Sequence, residues 1–225
     1  MINEYITIVV SLLTFFISII SSVEIFQQIF SYRKSREVHC GELSLKSFEN
    51  ELKNAKGKDA ELYLEKITFI LKEIYPKCSF TISVMLVEKS DKQNPSDSEV
   101  ITWISYPKQK YNIKMSYKVK DNTDFSSIVD ERKKYFFVSD LIEYNALKGY
   151  KNSDRNFLQE YKSSIVIPIQ KDENILGFLC INSSDNLGNV KKNRKLVDVA
   201  KSVTSLFCDY LIENKITQEA ITIKE

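Results

Sequence analysis

The residues able to do chemistry are few and badly placed for it. The 225-residue chain has one histidine, His39, beside Cys40. A His–Cys pair could be half of a zinc site, but zinc takes four ligands and no second pair has fitting spacing. A Ser-His-Asp or Cys-His centre needs its histidine against the nucleophile, and His39 sits just after a long apolar segment, remote from the rest of the chain. Asp130–Glu131 and Asp172–Glu173 are adjacent acids. Neighbouring positions on a helix point apart, so they read as solvated faces rather than an acid–base pair. Neither G-x-x-x-x-G-K-[ST] nor G-x-G-x-x-G occurs. Cys40, Cys78, Cys180 and Cys208 are far apart with no CxxC spacing, which suits buried free thiols in a reducing compartment. No catalytic residue, metal or cofactor is expected, and the chain reads as non-enzymatic.

Binding chemistry offers more. "KKNRK", with Lys191, Lys192 and Lys195, opens the last helical stretch. A helix N-terminus favours anions over cations. The cluster is therefore either a solvated charge run or an anion site for a phosphate or lipid headgroup. A net charge of +2 is too small for a nucleic-acid polymer as partner.

The elements divide the chain into four parts. Residues 1–36 hold a transmembrane anchor and an amphipathic juxtamembrane helix. Tyr5 to Val23 carries no charge, glycine or proline, and as a helix it would span about 28 Å, a bilayer core. Arg33, Lys34 and Arg36 follow it and none precede it, so the N-terminus is expected outside and the remainder in the cytoplasm of a single-pass membrane protein. Residues 37–58 form a linker helix region. Residues 59–219 form the main domain, and 220–225 a tail. Within the domain, Leu64, Ile67, Ile70, Leu71 and Ile74 mark a helix over 60–75, stopped by Pro76. The period then shortens. Strands are expected at 79–88, 99–107 and 110–119, then a short helix at 123–133 and a short strand from 134. An irregular stretch at 142–161 carries one helix near 155–161. "SSIVIPIQ" and "ILGFLCINSS", joined by "KDEN", predict a hairpin. A long helix is expected over 191–219.

This order, with "DFSSIVDERKKYFFVSDL" and "YKSSIVIPIQKDENILGFLCINSS", resembles a GAF domain: an α+β, GAF/PAS-like antiparallel sheet flanked by helices. The resemblance implies that the hairpin is the sheet centre, that Pro168 terminates one strand and that Gly177 allows close helix packing. It implies a small-molecule pocket on one sheet face, covered by the Phe125 helix and the 140–161 loop. Trp103, Phe125, Tyr144, Tyr150 and Tyr161 are its aromatic candidates, and Ser126, Asp140, Ser163 and Ser164 its polar ones; each also serves as an ordinary core residue. The family also dimerises through terminal helices, so a homodimer or higher oligomer is expected.

Departures narrow the ligand. Cyclic-nucleotide-binding members carry Asn-Lys after the last central strand, where this chain has Asn182 and Ser183. A bilin needs a pocket histidine. Free methionine sulfoxide reductases of this fold group several cysteines at the pocket, whereas Cys78 and Cys180 read as buried strand neighbours. Three roles remain open: a membrane-anchored sensor of a small, nucleotide-like molecule; a ligand-free scaffold tethering a partner; and the redox enzyme. With no output domain evident, the sensor would signal through its helices or membrane segment, as oligomerising bacterial antiviral effectors do.

Overall fold

The computed structural model describes residues 60–107, 116–154, 156–188, 190–216 and 219–222. The expected anchor and linker helix lie outside the described residues, and among these no helix is long and apolar enough to cross a membrane.

Helix α1 (Ala60–Ile74) buries Leu64, Ile67, Leu71 and Ile74 along one stripe. It leads into β1 (Phe80–Lys89) and β2 (Glu99–Tyr106), then the short β3 (Ser116–Lys118). Helix α2 (Thr123–Val129), β4 (Phe136–Val138), α3 (Leu141–Lys148) and the single turn α4 (Phe157–Glu160) follow. The hairpin β5 (Ser163–Lys171) and β6 (Asn174–Ser183) precedes the long α5 (Val190–Glu213) and a final β7 (Ile221–Thr222). The sheet is antiparallel in the order β3-β2-β1-β6-β5-β4, and β7 pairs with β6 beyond the end of β1.

The hairpin lies at the centre, as the sequence leads one to expect. Lys171 faces Asn174 across a two-residue turn in which Asp172 takes φ 54°, a conformation that short polar residues tolerate. Alternation along the central strands sorts side chains to two faces. Ile82, Val84, Ile165, Ile167, Leu179 and Ile181 face α1 and α5 in one core. Met85, Val166, Phe178 and Cys180 face α2 and the segment through α3 and α4 in the other.

Two bulges break this alternation and matter for the site. On β2 the register passes from Val84↔Ile104 to Met85↔Thr102, so Trp103 is the extra residue. An extra residue puts two consecutive side chains on one face, and Trp103 joins Ile104 against the helix-side core. On β6 the register skips Leu176, which carries Ile175 to the opposite core.

Several expectations need correction. Pro168 does not end its strand: β5 runs on to Lys171. It is tolerated because β4 pairs only with Ser164 to Val166, leaving Pro168 a neighbour on one side alone. Gly177 serves strand packing rather than helix packing, since a Cβ there would lie 2.2 Å from the Met85 carbonyl oxygen. Of the third expected strand, Ser116–Lys118 form β3, and residues 108–115 lie outside the described residues. The stretch from 142 holds α3, which has one buried apolar residue, Leu141, and so leaves no stripe to read. The supposed tail contributes β7, with Ile221 fully buried. Gly177→Ala is expected to lower stability by about 3 kcal/mol, the upper range of overpacking, measured by urea unfolding. An unchanged midpoint would contradict the close approach.

Candidate functional site

The face opposite α1 and α5 carries the polar and aromatic groups. Its roof begins with α2, held by the neighbouring segment 150–153. The Thr123 amide donates to the Lys151 carbonyl at 2.9 Å and the Lys151 amide to Thr123 Oγ1 at 2.8 Å. The Ser153 amide donates to Asn122 Oδ1 at 3.0 Å, and Asn122 Nδ2 to Ser153 Oγ at 3.1 Å. These four bonds zip residues far apart in sequence. Gly149, at φ 72°, ends α3 and turns the chain into the zipped segment; a side chain there would be strained.

Inside the zip is a fifth bond. Tyr150 Oη donates to Asp124 Oδ2 at 3.0 Å, and the Phe125 amide donates to Asp124 Oδ1 at 2.9 Å. Asp124 is 4% exposed. Burial raises its pKa to about 6, against the opposing pull of the Phe125 amide and the Tyr150 hydroxyl. Burial, and then the Asp124 charge, push the Tyr150 phenol well above its usual value. The same two causes act on the Cys180 thiol. Tyr117, on β3, is raised by burial and then by Asp154 and Cys180. Burial is thus the leading cause throughout the cluster, with the Asp124 charge second at Tyr150 and Cys180.

Rings fill the space around it. Phe125 stacks on Phe178 with centroids 4.7 Å apart, and Tyr150 on Phe157 at 5.7 Å. Tyr144 meets Phe136 and Tyr150 edge-on, and Tyr161 lies 5.0 Å from Phe157. On the sheet, Ser164 Oγ donates to Asn182 Oδ1 at 2.8 Å, both buried.

Of the candidate residues, Phe125, Tyr144, Tyr150, Tyr161 and Ser164 lie on this side of the sheet. Ser126 is on α2, with its hydroxyl 3.4 Å from the Thr123 carbonyl. Asp140 caps α3, accepting from the Ile142 and Glu143 amides at 3.0 Å and from Asn186 Nδ2 at 2.7 Å. Those bonds, the Glu143 amide first, hold its carboxyl below the usual range, and its role is structural. Ser163 turns away and donates to the Asp185 carbonyl at 2.9 Å. Trp103 does not line the site: its bulge sends it to the helix face, 6.3 Å from the Tyr210 ring. Lys192 also lies on the helix side, its ammonium 5.4 Å from the Tyr75 ring centre. Lys195 follows on the same helix, and the Lys191 side chain lies outside the described residues. Lys192 and the aromatic cluster therefore belong to different sides of the sheet. Asp124 was missed because an acid in a helical first turn is ordinary in sequence; its hint was the bulky apolar company of Phe125, Ile128 and Val129.

The thiols do not assemble either. Cys180 pairs with Ser83 and faces the aromatic side, whereas Cys78 and Cys208 pack on the helix side. Cys78 and Cys180 are not strand neighbours. Among the described residues no cluster of His, Cys, Asp and Glu could hold a metal. Burial raises the three described thiols, and a protonated thiol is a poor nucleophile. Iodoacetamide at pH 7.5 should label partly exposed Cys78 slowly and Cys180 only after denaturation, read by peptide mass spectrometry. Rapid native labelling of Cys180 would contradict this.

Asp124 also predicts a pH signature. Its folded pKa lies above its unfolded one, so its stabilising contribution is complete below pH 4 and is lost as pH rises through about 6. Asp124→Asn removes that loss. Between pH 4 and 7 the stability of the variant relative to the native chain should rise by roughly 2–3 kcal/mol, from a shift of about two units. Urea unfolding across that range measures it, and a flat difference would refute the buried charge.

No protein-family model matches the chain, and no curated protein is significantly similar. Solved structures are similar in fold. The GAF domain of a phosphoenolpyruvate-protein phosphotransferase from Coxiella burnetii superposes with TM-score 0.51 at 17% identity, covering 78% of this chain and 96% of that one. The corresponding Acinetobacter GAF domain gives 0.49 at 10% identity, covering 76% and 93%. Reduced free methionine sulfoxide reductase (fRMsr) of Staphylococcus aureus gives 0.46 at 17% identity, covering 74% and 94%. The fold is that of a GAF domain, and at these identities the likeness extends to the fold alone.

Proposed function

We propose that the chain is a membrane-anchored sensor whose GAF-fold domain binds a small molecule on its aromatic face. The observation that carries this reading is the buried Asp124–Tyr150 pair under a hydrogen-bonded roof. A carboxylate is expensive to bury, and perturbed acids concentrate at working sites. Aromatic walls with a few polar groups suit a planar ligand. Ligand entry would disturb the α2 zip and pass strain to the helices flanking the sheet. The proposed anchor rests on the uncharged run from Tyr5 to Val23, and the basic residues after it favour a cytoplasmic domain. The terminal helices are the proposed oligomer contact. The three described thiols lie on two faces and burial raises each, which favours binding over thiol catalysis.

A nucleotide could not place its base among the rings and its phosphates on Lys192 at once, because the sheet lies between. A nucleotide signal would have to bind one face alone. A second reading has its own support: the stacked rings fill the aromatic face, as they would in a ligand-free scaffold that tethers a partner.

Thermal melts and native mass spectra of the full chain in mild detergent separate the two. The additives are cyclic and linear nucleotides and a cell metabolite extract. A sensor gains several degrees with a ligand in excess, by mass action, and shows an adduct mass. An unshifted melt and a bare mass would overturn the sensor in favour of the scaffold.

A further inference from the structure

We infer that the Asp124 cluster is a recognition site for a cationic nitrogen, an ammonium or amidinium borne on a compact body. The inference rests on the sensor reading and adds the charge of the ligand. Both Asp124 oxygens bond to neutral donors, the Tyr150 hydroxyl and the Phe125 amide. An asparagine could supply oxygen and nitrogen to similar partners without burying a charge. The retained carboxylate therefore calls for a positive partner.

The described chain does not provide one. Asp124 is met by Tyr150 from the zipped segment, whose hydroxyl also accepts from Asn152 Nδ2 at 3.4 Å, and its charge acts on Cys180 from β6. No described lysine or arginine acts on Asp124, Tyr150 or Cys180. Tyr117 adds the pull of another acid, Asp154. Among the described residues a phosphate brought here would meet the charge of Asp124 and no cation acting on it.

The surroundings suit a cation in a second, independent way. The Phe125–Phe178 and Tyr150–Phe157 stacks flank the carboxylate, and ring faces attract cations. Entry requires the Tyr150 side chain to leave Asp124. That exchanges a bond from a neutral hydroxyl for a charge-assisted one, which is roughly twice as strong. Tyr150 follows Gly149 at φ 72°, at the end of α3, where the chain turns.

The test is calorimetric titration of the full chain in neutral detergent at pH 7.5. Benzamidinium, phenethylammonium and tetramethylammonium are compared with benzamide and AMP. At least one cation should bind, its neutral counterpart at least tenfold more weakly. Affinity should fall roughly tenfold at pH 5, where Asp124, with a pKa of about 6, holds a proton. Asp124→Asn should lose at least tenfold while still giving a cooperative melt. Failure of every cation to bind, or retained binding in Asp124→Asn, would overturn the inference. Binding of benzamide or AMP alone would overturn it and leave the sensor standing. If nothing in the panel or in the metabolite extract binds, both readings fall.

Discussion

A hairpin buried on both faces governs this molecule. Away from the turn, Ser163 to Ile169 of β5 and Gly177 to Ser183 of β6 have no solvent side, so each of these residues must suit one of two cores. Alternation then decides which side chains meet. Ile165, Ile167, Leu179 and Ile181 go to the helices, and Val166, Phe178 and Cys180 to the aromatic face. Gly177 keeps the neighbouring strand at bonding distance, because any larger residue would collide with the Met85 carbonyl. The roof, the capping of α3 and the placing of Asp124 all presuppose this division.

Much of the fold was legible because its strongest signals are periodic. The stripe of α1 and the apolar runs around "KDEN" specify their elements without help. What was not legible depends on contacts distant in sequence. Helix α3 has no apolar stripe and exists through the Asp140 cap and a single buried leucine. Strand β7 is two residues long and makes sense only beside Asn174 and Ile175.

The site was legible to the level of its face. Phe125, Tyr144, Tyr161 and Ser164 converge there because the covering segment could be located from element order. Trp103 was misjudged because a bulge is invisible in composition: one extra residue sends the largest side chain of β2 to the wrong core. The lysines expected as an anion site stand apart from that face, since the helix bearing them packs on the other core. The Asp124–Tyr150 pair could not be read at all. Its two members are 26 residues apart, and neither looks unusual until burial is known.

The short β7 has a mechanical meaning of its own. After α5 the chain passes from the helix layer to the edge of the sheet and sets Ile221 into the aromatic core. Helix α5 and that core are thus joined by a covalent tether as well as through the sheet. Two paired residues hold the tether's end. Cutting that link would part the aromatic core from the chain after α5 while leaving the helix itself seated on the sheet through Phe207, Tyr210 and Leu211.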